Sequence, residues 1–113
     1  MKTIIAGSRG VTSLKVVEDA VNASGFTITE EVSGGARGVD TLGEQWAKTR
    51  NIPVKRFPAE WAKYGRSAGY KRNVQMGDYA EALVAIWANK SKGTGHMINI
   101  ARERKLKVFV VEI

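Results

Sequence analysis

The chain has no cysteine. That excludes disulfides, thiolate metal sites and thiol nucleophiles together, and it fits a reducing compartment. Histidine occurs once, at His96. With no second histidine and no cysteine to share an ion, no metal site is expected. Apolar runs are short. None approaches the roughly 20 residues that cross a bilayer, and the opening MKTIIAGSRG holds too brief an apolar stretch for a secretory leader. A soluble, cytoplasmic protein with no membrane partner is the expectation. Proline is scarce, at Pro53 and Pro58 only, and no linker, repeat or low-complexity segment divides the chain. With 113 residues and a hydrophobic fraction of 43%, one domain spanning 1–113 with its own core is expected.

What the chain has in excess is positive charge. Eighteen basic residues outweigh 11 acidic ones, for a formal charge of +7. Such a balance favours an anionic partner: a nucleotide, a nucleic acid or an acidic protein. The charge is spread along the chain, with modest clusters at Lys71-Arg72, Lys90-Ser91-Lys92 and Arg102 to Lys107. Most of it reads as solvated surface.

Apolar runs alternate with amphipathic stretches. Thr3 to Ala6 reads as a first strand buried on both faces. Leu14, Val17 and Val21 follow at helical spacing, and Gly25 is placed to stop that helix. A second strand is expected over Thr27 to Val32, less apolar because of Glu30 and Glu31. Val39, Leu42 and Trp46 mark a helix starting close to Gly38, and Ile52 to Phe57 reads as a third strand. After an irregular connection come a helix from about Ser67 to Ala80, a strand Ala82 to Trp87, a helix Thr94 to Arg104 and a strand Val108 to Val111. This alternation predicts an α/β fold: a mostly parallel five-stranded sheet with helices on both faces, in three layers. Ligands of such folds bind beyond the C-terminal strand ends.

Three loops occupy that edge: Ala6-Gly7-Ser8-Arg9-Gly10, Gly34-Gly35-Ala36-Arg37-Gly38 and Ser91-Lys92-Gly93-Thr94-Gly95. Each joins glycine to a cation, and two offer hydroxyls. Glycine lets backbone approach a ligand closely. A helix start directs free N–H groups at an anion, and Arg9 and Arg37 can add bidentate contacts to phosphate or carboxylate. Tight turns also need glycine, but three such loops on one edge point to a phosphate-bearing ligand. None matches the P-loop or the G-x-G-x-x-G pattern. Asp40, in the first turn after Gly38, reads equally as a helix cap and as an acceptor for a ribose hydroxyl. Glu44 reads rather as part of a solvated helix face. The block from Trp61 to Asn73 mixes aromatic and basic residues, which suits stacking on a base with contacts to phosphate. There Arg72 and Asn73 are the candidate contacts, and Trp61 is expected to pack as a cover over the sheet edge.

GSRG after the first strand, SGGARGVD after the second, W-x-x-Y-G-x-x-A-G-x-x-R-N-x-x-M from Trp61 to Met76 and S-x-G-T from Ser91 together resemble the YspA-type members of the SLOG superfamily. These are small Rossmann-like domains related to YpsA and to the DNA-processing protein DprA. The resemblance runs over almost the whole chain and implies a Rossmann-like sheet with its first strand central. It also implies a site for a nucleotide or nucleotide-derived ligand related to NAD or ADP-ribose. Carried over, the contacts are Gly7, Ser8, Arg9, Gly34, Gly35, Ala36, Arg37, Gly38 and Asp40, completed by Arg72, Asn73, Ser91, Gly93 and Thr94. LOG-type relatives, which cleave nucleoside monophosphates, carry a glutamate three residues after the threonine of P-G-G-x-G-T. Here that position is Met97. A methionine cannot stabilise an oxocarbenium-like transition state as a carboxylate does. Asp40 and Glu44 remain as weak catalytic candidates.

Binding or sensing of a nucleotide is therefore the leading expectation. A hydrolase acting on an N-glycosidic or phosphoester bond is the second, and single-stranded nucleic-acid binding the third. A homo-oligomer is plausible, because a small open sheet leaves edges to cover.

Overall fold

The computed structural model describes the whole chain, Met1–Ile113. Its elements are β1 (Lys2–Gly7), α1 (Leu14–Ser24), β2 (Glu30–Ser33), α2 (Val39–Thr49), β3 (Val54–Arg56), α3 (Trp61–Tyr64), a 3-10 turn (Gly65–Ser67), α4 (Ala68–Tyr79), β4 (Ala82–Trp87), α5 (Lys92–Glu103) and β5 (Lys107–Glu112). The strands form one sheet in the order β3-β2-β1-β4-β5. Every pairing is parallel, so the expected sheet is parallel throughout, with its first strand in the middle.

Each face of the sheet has its own core. Ile4, Val32, Leu83 and Ala85 pack against Met76 from α4 and Met97, Ile98 and Ala101 from α5. On the other face Ile5, Val84 and Ile86 meet Val17 and Val21 from α1 and Val39, Leu42 and Trp46 from α2. Successive side chains of β1 and β4 point to opposite faces, which is why both strands read as unbroken apolar runs. No helix is long and apolar enough to cross a membrane.

Two strands are shorter than their sequences suggest. Thr27–Thr29 engages the N-terminus rather than extending the ladder: the Met1 ammonium donates to the Thr27 carbonyl at 2.8 Å and to the Thr29 hydroxyl at 3.0 Å, and the Thr29 N–H donates to the Met1 carbonyl at 3.0 Å. The Ile52 N–H returns to the Ala47 carbonyl at the end of α2, at 2.9 Å, so β3 starts only at Val54. The connection after Pro58 is less irregular than expected, since it contains α3 and the 3-10 turn. Gly25 ends α1 as expected, with φ of 70°.

Chain direction reverses across the sheet at β1. From β1 the chain moves outward through β2 to β3, then crosses back to β4 on the opposite side. The C-terminal ends of β1 and β4 therefore flank a topological switch point, where open α/β sheets form their crevice.

Candidate functional site

The crevice is assembled from the loop after β1. A Cβ on Gly7 would stand 2.2 Å from the Ile86 carbonyl oxygen, so glycine is required where β1 and β4 come together. The Ser8 hydroxyl then ties the two strand ends. It contacts the Ala88 carbonyl at 3.1 Å, accepts the Ala88 N–H at 2.9 Å and meets Ser91 Oγ at 2.8 Å. Ser8 thus faces the crevice with its hydroxyl already engaged by the protein.

The loop after β2 is braced from three directions. Ser33 Oγ donates to Glu44 Oε2 at 2.6 Å and accepts the Gly35 N–H at 3.1 Å. Glu44 in turn holds Arg56 through its other oxygen. Asp40 Oδ2 accepts the Ala36 N–H at 3.2 Å. From α4, Arg72 Nη1 donates to the Gly34 carbonyl at 2.5 Å. Gly38 lies directly on the first loop, where a Cβ would meet Arg9 Cα and the Ser8 carbonyl oxygen at 2.5 Å. Glu44 is therefore no solvated helix residue, as its place in the helix suggested. It is the hinge of a chain running from Arg56 to the Gly35 amide.

The third loop opens α5. Ser91 is its N-cap and donates to Thr94 Oγ1 at 3.1 Å. No protein acceptor meets the N–H groups of Lys92, Gly93 or Thr94, which leaves the positive end of the helix dipole free. Asn73 supports this loop from α4: its amide donates to the Gly93 carbonyl at 3.4 Å, contacts His96 Nδ1 at 3.1 Å and accepts Arg72 Nε at 3.1 Å. Arg72 and Asn73 are neighbours that hold two different loops.

All three loops wall one cavity of about 400 Å³, within the usual range for small-molecule sites. Gly7, Ser8 and Arg9 contribute from the first loop, Ala36 and Asp40 from the second, and Ser91, Gly93 and Thr94 from the third. Arg72 and Asn73 close one side, and Met76 and Met97 lie at the apolar floor. Met97 is 1% exposed, so the position of the LOG-type glutamate belongs to the core.

Four expected contacts fall elsewhere. Gly34, Gly35 and Arg37 line a neighbouring cavity, and Gly38 is packed under the first loop. Other residues enter that the motifs did not single out as contacts: Trp61, Arg66, Gly69 and Tyr70 form the outer wall. Trp61 is 53% exposed, not the packed cover it was expected to be. Its signal was present in the mixture of aromatic and basic residues, but nothing in the sequence said which way the indole turned.

Burial pushes the Asp40 carboxyl up to about 6, although the Ala36 amide and the charges of Arg72 and Arg9 oppose it. Burial also lowers Arg72, helped by the like charge of Arg9 and resisted by Asp40. The His96 imidazole is lowered by burial as well. No group of three or more His, Asp or Glu side chains is arranged to hold a metal ion.

The family model described as YspA, cpYpsA-related SLOG matches residues 1–64. The chain belongs to that family. Its match takes in the first two loops and ends at Tyr64, so the α5 loop, Arg72, Asn73 and Met97 lie beyond the matched segment. The chain is also similar to the gene 61 protein of Mycobacterium phage D29, at 28% identity over 118 residues, covering 96% of this chain and 94% of that protein. No solved structure matches. SLOG membership points to nucleotide-related binding or processing, and the crevice at the β1–β4 switch point is where the loop motifs of this member meet.

Proposed function

We propose that the crevice binds a nucleotide or nucleotide-derived ligand of the NAD or ADP-ribose kind, and that the protein senses or sequesters it in the cytoplasm. The observation that carries this reading is the convergence of three glycine loops on one cavity that also holds the unpaired amides at the start of α5. Phosphate would sit at those amides beside Arg9. The base would lie toward Trp61 and Tyr70, both about half exposed. With Met97 in the floor and no carboxylate in its place, binding is favoured over LOG-type cleavage.

Saturating NAD or ADP-ribose is expected to raise the melting temperature by several degrees, since ligand at 100 times Kd adds about 2.7 kcal/mol. Gly93→Ala separates site from fold. Gly93 lines the cavity, and a Cβ there would meet no protein atom within 4 Å. The unliganded variant should be as stable as the parent, or up to about 1 kcal/mol more stable, because alanine favours helix. Its ligand-induced shift should be lost. Equal shifts in parent and variant would remove the ligand from the α5 amides.

A second reading rests on Asp40. It is a buried carboxyl in the cavity wall, pushed up to about 6, and such a group exchanges protons near neutral pH. In that reading the site cleaves an N-glycosidic or phosphoester bond. Chromatography of a nucleotide incubated with the protein would then show free base or nicotinamide, and Asp40→Asn would abolish it. Intact nucleotide after prolonged incubation with the parent protein leaves binding alone.

A further inference from the structure

Beside the crevice lies a second cavity, of about 600 Å³. Four arginines line it (Arg9, Arg37, Arg56 and Arg72), and no carboxylate does. Glu44 neutralises Arg56 from behind. Arg9 and Arg37 make no ion pair, and Arg72 bonds only the Gly34 carbonyl and its neighbour Asn73. The backbone N–H of Arg37 also lacks an acceptor. Arg9, Ala36, Trp61 and Arg72 line both cavities, so the two adjoin along a shared wall.

We infer that the site is built for a ligand carrying a terminal phosphate monoester in this second cavity, in addition to the phosphate seated at α5. The inference rests on the nucleotide reading above and narrows its ligand class. A diester or a diphosphate bridge offers one negative charge per phosphorus. A monoester carries about −1.5 to −2 near pH 7 and three acceptor oxygens. Four guanidinium groups lining one cavity without a carboxylate among them are better matched by the monoester. Bare inorganic phosphate would leave much of a 600 Å³ space and the apolar surfaces of Pro58, Ala59 and Trp61 uncovered. A phosphate presented on a second nucleoside unit covers them.

Two matched pairs of probes differ only by a terminal phosphate: NAD and NADP, and the linear dinucleotides ApA and pApA. Calorimetric titration of the full chain is expected to show the phosphorylated member of at least one pair binding about tenfold tighter or more. In Arg37→Ala, which alters the second cavity alone, the two members of that pair should bind alike. A gain below threefold in both pairs, or a gain that survives Arg37→Ala, would overturn the inference. If NAD or ApA binds while phosphorylation adds nothing, only this inference falls. If no member of either pair binds, the nucleotide reading falls with it.

Discussion

Glu31→Gln is expected to stabilise the protein at pH 7 by an amount on the order of 3 kcal/mol, raising the melting temperature by roughly 10 °C or more. Glu31 lies in β2, fully buried, and neither carboxyl oxygen has a hydrogen-bond partner. Its pKa is pushed up to about 9, first by burial and then by the nearby Glu44 and Asp40 carboxylates. The folded protein therefore holds a proton at pH 7 that the unfolded chain has released. A group raised in this way contributes its stability fully below its unfolded pKa of 4.5 and loses it as pH climbs toward 9. In that window stability falls by about 1.4 kcal/mol per pH unit. Asp40, raised to about 6, adds a smaller fall in the same direction at lower pH. Glutamine has no proton to lose, so the variant should be nearly flat above pH 6, and the two proteins should converge near pH 4.5. Denaturant midpoints across pH 4.5 to 8.5 decide it. Parallel curves for parent and variant would mean that Glu31 is ionised in the fold, and the account of its burial would be wrong.

The opposite outcome is expected at Gly38. Its φ of 79° and ψ of −130° lie close to a region that only glycine enters freely, and a Cβ would overlap Arg9 Cα and the Ser8 carbonyl oxygen at 2.5 Å. Backbone strain of about 1–3 kcal/mol adds to overpacking of about 1–3 kcal/mol. Gly38→Ala should therefore cost about 2–6 kcal/mol and separate the first two loops, removing the proposed nucleotide binding as well. Gly35 is the control. Its φ is 74°, yet a Cβ there meets nothing within 4 Å, so Gly35→Ala should cost only the strain, about 1–3 kcal/mol. Chemical denaturation of both variants tests the difference. Equal costs would show that positive φ, and not the stacking of the two loops, makes Gly38 necessary.

Much of the architecture was legible because it rests on period and punctuation. β4 spans the residues its apolar run marks, Ala82–Trp87. Gly25 stops α1 by a local device that needs no tertiary partner. The three loops could be placed on one edge because alternating strands and helices leave them no other. What each loop residue does was not legible. Arg72 reaches Gly34 across 38 positions and Ser8 reaches Ala88 across 80. Such contacts carry no local spacing to read. Hence Ser8, Asp40, Arg72 and Asn73, singled out as ligand contacts, also prove to be the braces that shape the loops, and Arg37 faces the second cavity.

Glu31 and Glu44 mark the boundary most sharply. In a parallel sheet covered on both faces, strand alternation no longer separates buried from exposed positions, so Glu31 gave no sign that it was sealed against α2. On α2, Glu44 occupies a helix position that solvent would ordinarily claim, until Arg56 and Ser33 arrive from β3 and β2. The order of residues alone decided the parallel α/β fold, its two apolar faces and a loop-rich edge with positive charge, because those follow from periodicity, glycine and composition. Only the packed structure decided which side chains hold the loops, where Trp61 and Arg37 turn, and that a second, arginine-lined cavity adjoins the crevice. Those depend on distances between segments far apart in the chain, which come into being only when the sheet closes.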